Sequence, residues 1–69
     1  MTEHLTTRPR LATALMEAGI EGRPTLNPFD PQKRAWLFPV SPEMIRITRA
    51  FYDSIGKPLP MDLREEAGR

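Results

Sequence analysis

The chain has 69 residues, with ten Lys and Arg against nine Asp and Glu, for a formal net charge of +1. A single small domain follows, able to bury only about 60% of the surface of its unfolded chain. One histidine and no cysteine exclude disulfides, thiolate chemistry, and Cys-based or multi-histidine metal sites.

The near-balanced charge lacks the basic excess of a typical small nucleic-acid binder. It also lacks the acidic excess of a DNA mimic. The N-terminal MTEHLTTRPR has no apolar core of signal-peptide length. No run approaches the roughly 18 apolar residues that cross a bilayer. The expectation is a cytoplasmic protein without a membrane partner. Eight prolines limit regular structure and stiffen the joints.

In chain order, residues 1–6 read as a flexible terminus, with one alternative in which His4–Thr6 pairs at a sheet edge. Thr7–Gly19 reads as a helix. Thr7 is the expected cap and Pro9 sits in the first turn. Leu11, Leu15 and Ala18 recur at helical spacing beside Ala12, Ala14 and Met16. Gly19 supplies a left-handed stop, and Ile20 is placed to fold back on the last turn.

The centre, EGRPTLNPFDPQK, is dense in turn-forming residues. Thr25 and Leu26 suggest a brief strand, and Phe29 reads as an anchor tucked under the core. DPQK has Asp and Pro at the first two positions of a four-residue turn. Thr25–Phe29 and Arg34–Phe38 then form an antiparallel hairpin.

Arg34–Val40 is the clearest strand. Trp36, Phe38 and Val40 point one way, Ala35 and Leu37 the other. Pro39 cannot donate to a ladder, which argues for an edge or bulge and hence for an open edge on this strand. Ser41 caps the next helix, with Pro42 in its first position and Glu43 near the positive end of its dipole. Met44, Ile47, Phe51 and Ile55 form its apolar stripe, widened by Ile45, Thr48 and Tyr52. Glu43–Arg46 and Arg49–Asp53 have ion-pair spacing, each contributing about 0.2–0.5 kcal/mol. Gly56 ends this helix, and Pro58 and Pro60 keep it ended. Leu59 and Met61 are placed to lie over the core. Residues 62–69 read as a charged tail, loose or forming a short helical turn.

These elements define an α+β domain over residues 7–61, ordered α-β-β-α. Two helices cover a small antiparallel sheet of two strands, or three if the N-terminal alternative holds. LATALMEAG, the aromatic strand AWLFPV and the helix ending FYDSIG also resemble short uncharacterised proteins of bacterial prophages and mobile elements. In those proteins a leucine-alanine helix ending in Gly precedes a Phe-x-Phe-like strand and a helix ending in Tyr. The resemblance covers roughly residues 7–56. It implies a phage-encoded context, such as an inhibitor or adaptor of the anti-defence, anti-CRISPR-like type, and brings no catalytic residues.

The chemistry expected is sparse. His4 falls in the expected flexible terminus and reads as a solvated side chain, since a catalytic base must be held in place. Asp30, Asp53, Glu65 and Glu66 are dispersed along the chain. No Walker loop, dinucleotide fingerprint or metal-binding helix motif is present. The expectation is a non-enzyme with no cofactor, metal or small-molecule substrate.

Trp36 has two readings, core filler and interface anchor. The interface reading makes Trp36, Leu37, Phe38, Arg46, Arg49 and Tyr52 candidates for contact with a protein partner or a second copy, through a strand left open at its edge. The rival is a DNA-binding or regulatory accessory protein using Arg8, Arg10, Arg23, Lys33 and Arg34. Against it stands a solvated face of paired charges.

Overall fold

The computed structural model describes residues 3–67. Residues 1–2 and 68–69, at the outer ends of the expected terminus and tail, lie outside the described residues. So do the side chains of residues 65–67, including Glu65 and Glu66. In chain order the elements are β1 (Glu3–Thr6), α1 (Pro9–Glu17), β2 (Arg23–Leu26), β3 (Arg34–Pro39), α2 (Pro42–Ser54) and α3 (Met61–Ala67). The α+β class stands. The order is β-α-β-β-α-α rather than α-β-β-α, and the sheet has three strands rather than two.

The strand order is β1-β3-β2, antiparallel throughout. The expected open edge on Arg34–Val40 is therefore corrected: β3 is the central strand, hydrogen-bonded on both sides. Pro39 sits at its last position, opposite Glu3, where a missing donor costs the ladder little.

The added strand comes from the residues expected to be flexible. His4 and Thr6 lie opposite Phe38 and Trp36, so their side chains share the face that carries the core. Both are buried and polar, and both have partners. His4 Nδ1 lies 2.6 Å from Asp62 Oδ2, and Thr6 Oγ1 accepts from the Arg8 N–H at 3.3 Å. A buried polar group is tolerated when it is paired in this way.

One face of the sheet packs on the helices. The core joins Leu11, Ala12 and Leu15 of α1, Phe38 of β3, Met44 of α2 and Leu63 of α3, all fully buried. Each large member contributes about 1.5–3 kcal/mol by leaving water. Trp36, Val40, Ile45, Ile47, Phe51, Tyr52 and Leu59 pack around them half-buried. On the other face Leu5 and Leu37 pair, Ala35 is buried, and Arg23 reaches across β3 to Glu3.

Both longer helices end in the same way. Gly19 (φ 86°) donates to Met16 O while Ile20 donates to Leu15 O; Gly56 (φ 69°) donates to Asp53 O while Lys57 donates to Tyr52 O. A left-handed glycine with these paired bonds satisfies the last carbonyls of a helix. Ile20 folds back onto the core as the sequence suggested. Ser41 caps α2 by accepting the Met44 N–H at 3.1 Å. At α1 the capping position is Arg8, not Thr7, and no side chain caps it.

The segment joining β2 to β3 turns as DPQK implied, with the Lys33 N–H donating to Asp30 O at 3.0 Å. Phe29 is not an anchor: it is 84% exposed, and Leu26 is 81% exposed. The inward residue is Asn27, whose Oδ1 accepts the N–H groups of Phe29 and Asp30 at 2.8 and 3.1 Å. That local turn rotates the aromatic ring out into solvent.

Candidate functional site

The start of α1 forms a ridge between two open grooves. One, of about 590 Å³, is lined by Thr7, Arg8, Pro9, Arg10, Phe51 and Ile55. The other, of about 470 Å³, is lined by Thr7, Pro9, Lys33, Arg34 and Trp36. Thr7 and Pro9 belong to both, so the grooves adjoin. Sheet pairing explains the meeting. Thr6 lies opposite Trp36, which sets the β1–α1 junction beside the first residues of β3. The end of α2 closes the far side through Phe51 and Ile55.

Four cations line these grooves: Arg8 and Arg10 in the first, Lys33 and Arg34 in the second. Arg8 is fixed by Tyr52. Its Nε donates to the phenol oxygen at 3.2 Å, and its guanidinium carbon lies 5.2 Å from the ring centroid. An aromatic face holds a guanidinium without cancelling its charge. Arg10, Lys33 and Arg34 are exposed. Among the described residues, no carboxylate forms an ion pair with any of the four. The Asp30 carboxylate, close in sequence, accepts the Gln32 N–H at 3.0 Å within its own turn. The positive end of the α1 dipole, which no side chain caps, adds to the same field.

The remaining candidates fall elsewhere. Arg23 binds Glu3 through two contacts, at 2.8 and 3.4 Å, on the face of the sheet that carries Leu5 and Leu37. This hydrogen-bonded pair holds the Glu3 carboxyl below its ordinary value and pushes Arg23 up. Arg23 is therefore neutralised and separate from the other cations. Arg46 lies 3.8 Å from Glu43, while Arg49 and Asp53 form no such pair among the described residues.

Trp36, Leu37, Phe38, Arg46, Arg49 and Tyr52 do not make one surface. Phe38 is fully buried and unavailable to a partner, because β3 is covered by α1 and α2 on that face. Leu37 points to the opposite side of the sheet. Trp36 is half-buried and walls the second groove, and Tyr52 holds Arg8.

Sequence reasoning missed three contributors. His4 is an ordered strand residue joined to Asp62, not a solvated terminal side chain. Leu63, the one leucine of the charged tail, plugs the core. Phe51 falls in the apolar stripe of α2, and nothing in its neighbouring residues signals its place in a groove wall. Among the described residues no three His, Asp or Glu side chains gather as metal ligands. Nor is any helix among them long and apolar enough to cross a membrane. Compared with protein-family models, curated proteins and solved structures, the chain matches none.

Proposed function

We propose that the chain is a small non-enzymatic accessory protein that binds nucleic acid at the start of α1. One observation carries this reading: Arg8, Arg10, Lys33 and Arg34 converge on two adjoining grooves with no described carboxylate to neutralise them. A net charge near zero does not oppose local convergence, because exposed charges farther apart than about 8–10 Å are screened at physiological salt.

The test is salt-dependent binding of labelled polynucleotide, followed by anisotropy. Four phosphate contacts give a slope of about −3 in log affinity against log salt. Affinity then falls by about 50-fold between 50 and 200 mM salt. Reversing Arg10, Lys33 and Arg34 together to Glu should abolish binding while leaving thermal unfolding in place. Absence of binding by the wild-type chain at low salt sinks the reading.

A second reading, a protein-binding module, draws on a different observation. Among the described residues Leu26 and Phe29 are the most exposed large apolar side chains, and buried Asn27 holds their loop in one shape. Preorganised aromatic side chains suit partner contact. The prophage resemblance adds a proposed context, an inhibitor or adaptor acting on a host protein. Phe29→Ala should weaken capture of such a partner and leave polynucleotide binding unchanged.

A further inference from the structure

The two grooves share a composition that suggests which form of nucleic acid they take. Each sets two cations beside one half-buried aromatic ring: Arg8 and Arg10 with Phe51, Lys33 and Arg34 with Trp36. Volumes of about 590 and 470 Å³ fall within the range of about 300–1,000 Å³ typical of small-ligand pockets. Each therefore has room for one nucleotide.

A duplex hides its base faces in the stack, and proteins commonly read it by laying a helix or ribbon in a groove. Among the described residues, no helix carries more than one cation that is free of both an ion pair and the grooves. The inward side of α1 is buried through Leu11, Ala12 and Leu15, and past Arg10 its remaining residues carry no cation. On α2, Arg46 is paired with Glu43, which leaves Arg49 as a lone cation among the described residues. A single strand, by contrast, presents base faces to aromatic rings and phosphates to flanking cations.

We infer that the grooves bind a single-stranded polynucleotide laid across the Thr7–Pro9 ridge, with bases against Trp36 and Phe51 and phosphates on Arg8, Arg10, Lys33 and Arg34. This rests on the nucleic-acid reading above and narrows it.

Trp36 is the only tryptophan, so its emission reports on the second groove directly. The wild-type chain is titrated at low salt with oligothymidylate, oligouridylate and a mixed-sequence duplex of equal length. Single strands should quench Trp36 and bind at least about tenfold more tightly than the duplex, since stacking is available only to them. Phe51→Ala should weaken single-strand binding by roughly tenfold. Arg10→Glu, at an exposed position, should weaken it and lower the salt slope by about one contact.

Duplex binding as tight as single-strand binding, with Trp36 emission unmoved, overturns this inference and leaves the broader reading standing. Binding to neither overturns both. Preference for the thymidylate or the uridylate strand identifies DNA or RNA as the source, and either supports the inference.

Discussion

Gly22 tests whether the sheet is held against α1 as described. It lies just before β2, and its φ is not in the left-handed region, so alanine fits the backbone. Space is the obstacle. A Cβ built there meets Phe38 Cε1, with Cζ at 2.6 Å and Cδ1 at 2.7 Å. Phe38 is fully buried among Leu11, Leu15 and Met44, so its ring has nowhere to retreat.

Overpacking of this kind costs about 1–3 kcal/mol. The reduced freedom of the unfolded alanine chain offsets about 0.4–1 kcal/mol of that. Taking the middle of both ranges, the net expectation for Gly22→Ala is a loss of about 1–2 kcal/mol. At about 4–8 °C per kcal/mol for a domain of this size, Tm should fall by about 4–16 °C. Replacing Phe38 by Leu removes two of the three clashing atoms, Cε1 and Cζ, and leaves a smaller side chain that can turn the third aside. In that background Gly22→Ala should be neutral or slightly stabilising, a coupling of about 1–3 kcal/mol. Urea denaturation of the four chains, monitored by Trp36 emission, measures it, with the slope in denaturant unchanged. The reasoning is refuted if Gly22→Ala matches wild type within about 0.3 kcal/mol, or if its cost is the same in both backgrounds.

Two further predictions follow from the remaining contacts. His4→Ala removes the hydrogen bond to Asp62 and should cost about 1–2 kcal/mol. Amide exchange near Leu63 should accelerate, and unchanged exchange there would show that the pair does not hold α3. The Glu3 carboxyl is held below its ordinary value of 4.5, chiefly by the Arg23 hydrogen bond. The stability it contributes is present above that value and is lost as pH falls through the lower folded-state value. Glu3→Gln should therefore flatten the acid limb of Tm against pH, whereas parallel curves for the two proteins would refute the assignment.

The parts legible in the sequence were those written in adjacent residues. Helical spacing, the Ser41 cap, the stops at Gly19 and Gly56 and the DPQK turn all depend on neighbours a few positions away. β1 was not legible as a main element. It is four residues long, it turns His4 and Thr6 inward, and the partner that satisfies His4 is 58 positions away. The two apolar faces of Arg34–Val40 fitted a central strand, but Pro39 was weighed as an edge signal. Phe29 was read by its hydrophobicity, while the turn made by Asn27 decided its direction. The groove cations were each visible as residues. Their convergence was not, because the pairing of β1 with β3 brings Lys33 and Arg34 beside Pro9.

The contact between His4 and Asp62 also bears on how this polypeptide folds during synthesis. The first strand has no hydrogen-bonding mate until β3 has been made, and its imidazole must wait for Asp62. A nascent chain halted before residue 62 lacks both the plug at Leu63 and the bridge that positions it. Long-range closures of this kind come late, after local turns have formed. On the ribosome, this domain can close only after Asp62 and Leu63 have been made.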